Sequence, residues 1–375
     1  MRKFLVKLFR LLGLLLLLAI AICAWLLYDG NRQLSLPLKL SEPATITIAP
    51  GARIRDVVLQ LRDQQRLATL RQGLYLEAYA RGANKAAGIK TGEYRLDPGM
   101  SPYQALELWR SGKVVVYELR IVEGTRFDAA LQQLMAHPQV RHTLTSSDPD
   151  QVMTALGLAG QHPEGRFFPD TYLFPRDTSD VVILRRAYDT MRKLLDAEWQ
   201  TRAADLPYAT PEEALTMASI VEKETGAPAE RAQIAGVFVR RLRIGMRLQT
   251  DPTVIYGLGA AFDGNLRKRD LLAPNPYNSY LNTGLPPTPI CLPGRAAINA
   301  ALHPADGDAL YFVSRGDGTH QFSATLEEHE AAVRRYQLGG RAPSPSVDPT
   351  SVPNPQVVVP QASPEATPPA TSPAP

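Results

Sequence analysis

The chain has 375 residues, 45% of them hydrophobic and 21% charged, which is enough apolar material for a sizeable core and for more than one domain. A formal net charge of +4 and a pI near 9.0 suit an anionic surface or polymer as partner, and equally a plain solvated excess of Lys and Arg. Its 2 cysteines, Cys23 and Cys291, are far apart, which excludes a disulfide framework and a Cys-type zinc site.

At the N-terminus Arg2, Lys3, Lys7 and Arg10 form a basic segment, 1–10, ahead of the uncharged run "LLGLLLLLAIAICAWLLY", residues 11–28. At about 1.5 Å per residue that run approaches the ~30 Å of a hydrocarbon core, so it is expected to form one transmembrane helix. A cleaved signal peptide would have a shorter apolar region and a small-residue cleavage site, whereas Trp25 and Tyr28 suit an interfacial anchor. Ile22 before Cys23, with apolar residues continuing beyond it, argues against lipoprotein processing. Positive charge before the span and Asp29 after it put the rest of the chain on the outer side of the membrane, after a linker at 29–43.

The stretches "PGARIRDVVLQL", "PGMSPYQALELW" and "EGTRFDAALQQL" each place a turn glycine before an amphipathic helical run, the pattern of a strand, turn and helix. Between the first two lie a helical pattern, "LRQGLYLEAYARGANK", and an alternating one, "IKTGEYRL". "GKVVVYELRIVEG" is dense in β-formers from Val114 to Val122. A compact α+β unit over 44–118 follows. Beyond it the pattern is mostly helical, broken by the polar "TSSDPD" and by "HPEGRFFPDTYLFPRDTS", which is expected to be an ordered surface loop. Helices resume at "DVVILRRAYDTMRKLLDAEW" and run to about Arg241. Residues 249–294, rich in Pro, Gly, Asn and Tyr, are expected to be long loops lining a cleft. "ALYFVSRGDGTHQFSA" reads as a hairpin and "LEEHEAAVRRYQLG" as a last helix. The Pro, Ser, Thr and Ala tail at 341–375 cannot bury enough apolar surface to fold.

No HExxH pair, nucleophile elbow, P-loop or dinucleotide-binding glycine fingerprint occurs, and the 6 histidines are scattered. His320, in the hairpin, is either a site residue or a plain surface histidine. Chemistry is best sought in "LTMASIVEKETGAPAER", where an apolar helical run closes on Glu222 and Glu224. At about 100° per residue, Ala214, Met217, Ile220, Val221 and Glu224 share a sector of about 120°, while Glu222 points with Leu215, Ala218 and Ser219. A carboxyl on that broader apolar face loses hydration, keeps its proton toward neutral pH and can serve as a general acid. The plainer alternative is that both glutamates are the solvated end of a helix stopping at Gly226. Gln249, Asp251, Tyr277, Asn278 and Tyr280 add amides and aromatic faces suited to sugars, and Arg240, Arg241, Arg243 and Arg247 could meet carboxylates on an anionic glycan.

At "EGRFFPDTYLFP", "MASIVEKET", "RLRIGMRLQTDPTVIYG", "YNSY", "GLPPTPI" and "ALYFVSRGDGTHQFSA" the chain resembles the YceG-like family of endolytic murein transglycosylases, from about Pro50 to Tyr336. The resemblance implies an α+β protein of the cell inner membrane: a single N-terminal transmembrane helix, a LysM-like subdomain at 44–118, and a catalytic domain of mixed helices and strands at 119–340 in the periplasm. It implies Glu224, the second acid of the Glu-Lys-Glu motif, as catalytic residue, with Gln249, Asp251, Tyr277, Asn278, Tyr280 and His320 as substrate-binding candidates and no metal or cofactor. Implied partners are peptidoglycan strands, the cytoplasmic membrane and a peptidoglycan synthase, with no nucleic acid. Ser279 stands where threonine is common, and Cys291 and the tail are departures. Rival readings are a hydrolase using Asp251 or Asp170 as second carboxylate, and a non-catalytic peptidoglycan tether.

Overall fold

The computed structural model describes residues 2–339, with side chains from Phe4 onward; the tail expected at 341–375 lies outside the described residues. The fold is a mixture of helices and short strands, with one long apolar helix at the N-terminus. The described chain divides into two compact units, one of residues up to Glu118 together with Leu173–Thr178, the other of Leu119–Tyr172 and the chain from Ser179 onward.

The first unit begins with α1 (Arg2–Ser35), in which Phe4–Ser35 is long and apolar enough to cross a membrane, an 18-residue stretch having a mean hydropathy of 2.7. The segment expected as a linker at 29–43 is instead largely built into the unit. Asp29, Gln33, Leu34 and Leu38 are buried, Asp29 pairs with Arg71 at 2.9 Å, and the Gln72 amide donates to the carbonyls of Gln33 and Leu36. The helix runs on past the apolar stretch because these polar groups find partners there. There follow β1 (Ala44–Ile48), α2 (Ile54–Asp63), α3 (Leu70–Gly82), β2 (Gly92–Leu96) and α4 (Pro102–Ser111). β1 and β2 pair antiparallel with Ile46 opposite Tyr94, and Ile46, Leu61, Leu76, Tyr94, Leu106 and Trp109 make the core. The predicted strand at 114–122 shrinks to β3 (Val116–Arg120); Val116 and Val122 are exposed, so the β-forming residues at its ends gain no burial.

The second unit contains α5 (Phe127–Met135), β4 (Val140–Arg141) and α6 (Pro149–Ala155), and is interrupted by β5 (Thr171–Pro175) and β6 (Thr178–Ser179) near its boundaries. It continues with α7 (Asp180–Gln200), α8 (Pro211–Glu224), α9 (Arg231–Arg243), α10 (Asp251–Leu258), α11 (Lys268–Leu271), α12 (Arg295–Leu302), the hairpin β7 (Tyr311–Ser314) and β8 (His320–Ser323), and α13 (Leu326–Tyr336). The expectation of loops throughout 249–294 is corrected by α10 and α11: Pro252 at the start of α10 takes a position that needs no amide donor.

Helix α8 is the centre of this unit. Thr210 and Glu213 form a reciprocal capping box and Pro211 follows the cap, which satisfies the first amides and fixes where the helix starts. Every residue from Ala214 to Val221 is buried, and the helix packs against α12, α9 and α7. It therefore has no solvent face in its middle, unlike the amphipathic helix the sequence suggested. It stops when Thr225 turns to extended backbone, φ −142°, rather than through a left-handed glycine.

The loop at 162–170 is a second correction. It has no regular structure, yet Pro163, Glu164, Gly165, Phe167 and Pro169 are buried, and Phe167 stacks on Phe127 with ring centroids 5.0 Å apart. Its aromatics enter the core, so it is not a surface loop. Gly165 is required there: its φ is +80°, and a Cβ would lie 2.5 Å from Cβ of Pro289.

Candidate active site

The C-terminal end of α8 opens onto a cavity of about 670 Å³. Its wall is made by Lys223 to Ala227 from that end, by Pro252, Ile255 and Tyr256 of α10, by Arg126 and Ile290, and by Ser314, Gly318 and His320 of the hairpin. Glu224 is the acid among these residues.

Both glutamates of the Glu-Lys-Glu stretch are half-buried and each accepts a hydrogen bond from inside the protein, which overturns the alternative of a solvated helix end. Glu222 accepts the Gly294 amide at 2.9 Å, at the N-terminus of α12, and lies 3.9 Å from Arg231. Burial raises its pKa, opposed by the Gly294 hydrogen bond, and its place at a helix N-terminus is that of an anchor for α12. Glu224 has one side on the cavity and protein around the rest. Burial pushes its pKa up to about 7; a hydrogen bond from Thr250 opposes that rise, the charge of Asp251 adds to it, and Arg241 opposes it.

Thr250, which the sequence puts with Gln249 and Asp251 at the end of a basic helical segment but gives no role, stands beside Glu224. It is fully buried at the N-cap of α10, its amide donates to Ser279 Oγ at 2.9 Å, and its hydroxyl donates to Oε1 of Glu224. Ser279 in turn exchanges a 2.8 Å hydrogen bond with Thr253. With Oε1 accepting from Thr250, the proton of Glu224 belongs on Oε2. The only local signal was a hydroxyl residue directly before an Asp-Pro helix start.

The other expected site residues divide sharply. His320 is on the cavity wall, its Nδ1 held by Glu230 Oε2 at 2.7 Å and its amide by the other oxygen of the same carboxylate. Asp251, Asn278 and Tyr280 lie one layer further in. The Tyr280 hydroxyl donates to Asp251 at 2.6 Å, and burial raises Asp251 to about pKa 6. The Asn278 amide is spent on the carbonyls of Leu271 and Ala273 and on the Tyr280 amide. Gln249 takes a positive φ of 50° and donates its amide to Ser279, shaping the bend before α10. Tyr277 packs edge-on against Tyr256 at 4.8 Å and bonds Thr288, so it reaches the cavity through Tyr256. Asp170 is exposed and outside the cavity wall.

The arginines expected to meet substrate do something else. Arg240 donates to the carbonyls of Ala305 and Ala309, Arg241 to Leu248 and Leu310, Arg243 to Asp205 and Arg247 to Tyr280. Arg241 is buried, which drives its pKa down to about 10. Arg240, Arg241 and Arg243 stitch loops to α9, and Arg247 ties the segment after it to Tyr280. Arg126 and Tyr256, missed in the sequence, line the cavity instead. The Tyr256 hydroxyl bonds the buried Glu164, which also accepts the Phe127 amide at 2.9 Å and whose pKa burial raises to about 7.

A single carboxyl that holds its proton near neutrality and faces a cavity is equipped for general-acid chemistry. The motifs around it have recognisable relatives. The chain belongs to the YceG-like family, whose model matches residues 46–335. A protein of Bacillus subtilis named endolytic murein transglycosylase is 34% identical over 271 residues, covering 67% of this chain and 74% of its own. One of the same name from Streptococcus pneumoniae is 27% identical over 327 residues, 78% of this chain; the chain spans 58% of that relative's length. A crystal structure of a YceG-like protein from Listeria monocytogenes is 31% identical, with a TM-score of 0.49 over 78% of this chain and 99% of that one.

Proposed function

We propose that this chain is a membrane-anchored endolytic lytic transglycosylase, which cuts the bond between N-acetylmuramic acid and N-acetylglucosamine within peptidoglycan strands. The observation that carries this reading is the Glu224 carboxyl, an acid on the cavity wall kept protonated near neutral pH by its surroundings. Its relatives' names point to the same reaction class.

In the first half-reaction the proton on Oε2 of Glu224 passes to the glycosidic oxygen as the bond from that oxygen to C1 of the muramyl unit breaks. The N-acetylglucosamine leaves with its 4-hydroxyl. The carboxylate so formed keeps the Thr250 hydrogen bond on Oε1 and has the charge of Arg241 nearby, both of which favour it. In the second half it takes the proton of the muramyl 6-hydroxyl while O6 bonds C1, giving a 1,6-anhydro end and restoring the acid. One well-placed carboxyl is enough for this sequence. Asp251 acts from the layer behind, through the pKa of Glu224, and His320 touches substrate directly. Gln249, Tyr277, Asn278 and Tyr280 hold the loops that shape the cavity.

The rest of the chain fits an enzyme working beside the membrane. α1 supplies a single span, with the remainder in the periplasm. Residues 44–118 are read as a LysM-like subdomain that holds the strand and 119–340 as the catalytic domain; the helix-covered strand pair supports a self-contained module. Cutting new strands near a synthase would end their elongation, and glycan chains in a deletion strain should then lengthen. Mass spectrometry of muropeptides released from purified peptidoglycan tests the reaction. Anhydro ends are expected; reducing ends that have gained water would mean a hydrolase.

A further inference from the structure

The cavity wall carries Arg126 and Lys223 against one acid, Glu224, so the space beside that acid has an excess of positive charge. The Arg126 guanidinium lies 4.7 Å from the centroid of the Tyr256 ring, and Tyr256 is itself fixed by Glu164 and by the edge of Tyr277. That stack holds the planar fork in one orientation. Nε of Arg126 is buried without a hydrogen-bond partner. Its ion pair is with Asp128, 3.2 Å away and largely exposed, where solvent screens the attraction. Lys223 Nζ bonds the Gly124 carbonyl at 3.4 Å, a long contact that leaves ammonium donors to spare.

We propose that Arg126 and Lys223 form a carboxylate-binding subsite on the wall of the cavity, which takes an acid group carried by the muramyl unit of the strand. The proposal rests on the reading of the site as peptidoglycan-cleaving. A planar guanidinium with donors to offer matches a carboxylate in two-point geometry, and the ammonium adds a second, less directional attraction. The acid has two possible sources, the stem peptide or the bare lactyl group left when the peptide is removed. Held at this subsite, either fixes the register of the strand, so that one glycosidic oxygen comes to rest at Glu224.

The test uses the full-length chain in detergent on four substrates: strands with intact stem peptides, strands stripped by an amidase, and each of these with its carboxylates converted to primary amides. The reading is the ratio of kcat/KM for the acid form over the amide form, taken within one protein preparation so that partial unfolding cancels. In the arm carrying the recognised acid the unaltered protein is expected to show a ratio of about ten or more, the size of one charge-assisted contact. Arg126→Gln should bring it down several-fold, to the small preference that Lys223 alone can give, and Arg126→Lys to a value between. A ratio near one for the unaltered protein in both arms, or the same ratio in Arg126→Gln, would overturn the subsite. Failure to cleave any of the four strands overturns the reading of the site itself, an outcome distinct from lost preference.

Discussion

The Thr250 hydroxyl donates to Oε1 of Glu224, joining the start of α10 to the end of α8 across the wall of the cavity. That bond selects which oxygen keeps the proton, and it stabilises the carboxylate once the proton has gone.

Thr250→Val removes this donor and leaves the rest of the side chain almost unchanged in shape. The Glu224 pKa, now about 7, should rise, because a donor to the charged form has been lost. The alkaline limb of the kcat/KM profile then moves to higher pH, while turnover at neutral pH falls by about tenfold because the departing carboxylate is less well held. Thr250→Ser should restore both. A profile that falls in height without moving would mean that Thr250 only supports the fold.

Glu164 links pH to stability. Burial raises its folded-state pKa to about 7, above the ordinary carboxyl value near 4.5. The acid is therefore tolerated when neutral, and stability that is full below the unfolded value is lost as pH rises through about 7. At pH 8 the loss is on the order of 3 kcal/mol relative to acid conditions. Urea denaturation should show Glu164→Gln closing that gap: the variant's stability relative to the parent should improve from about pH 5 to pH 8. A difference independent of pH would contradict the burial argument.

Arg241 and Arg243, two residues apart, should differ as scaffold parts. Arg241 is buried and its removal leaves the carbonyls of Leu248 and Leu310 without donors, so Arg241→Ala should cost about 2–4 kcal/mol. Arg243 is exposed and donates to the Asp205 carbonyl, and its replacement should cost less than about 1 kcal/mol. Chemical denaturation of the two variants separates a scaffold role for Arg241 from a substrate role, which would leave stability untouched.

Gly165→Ala should be destabilising by at least about 2 kcal/mol, since it combines a positive φ with a Cβ that would strike the Pro289 ring. The same change shifts the neighbouring Glu164 and, through Tyr256, one wall of the cavity. Thermal melting should therefore fall together with activity.

Much of this was visible in the sequence because it is local. The helices α3, α7 and α13 and the hairpin of β7 and β8 follow from apolar periodicity, caps and turn glycines at short range. The basic segment followed by an apolar run announced α1. The Glu-Lys-Glu stretch also stood out, though for a reason only partly right: α8 is buried all round from Ala214 to Val221, so its last two acids differ by what meets them, the Gly294 amide for Glu222 and a hydroxyl plus the cavity for Glu224. Periodicity along one helix cannot show partners that arrive from elsewhere in the chain. For the same reason the amides and arginines of 240–280 looked like substrate contacts, when most of them are consumed by backbone carbonyls. Arg126 and Tyr256 carried no local signal, since they are brought to the cavity from separate elements.

The proton on Glu224 is the claim from which the rest descends. The direct measurement is cleavage of purified peptidoglycan by the full-length chain and by Glu224→Gln, a variant of the same shape that cannot give up a proton, with melting temperature followed alongside. The account predicts a loss of at least about 10²-fold in turnover with the melting temperature kept or raised. Turnover within a few-fold of the unaltered protein, in a variant that is fully folded, would contradict it.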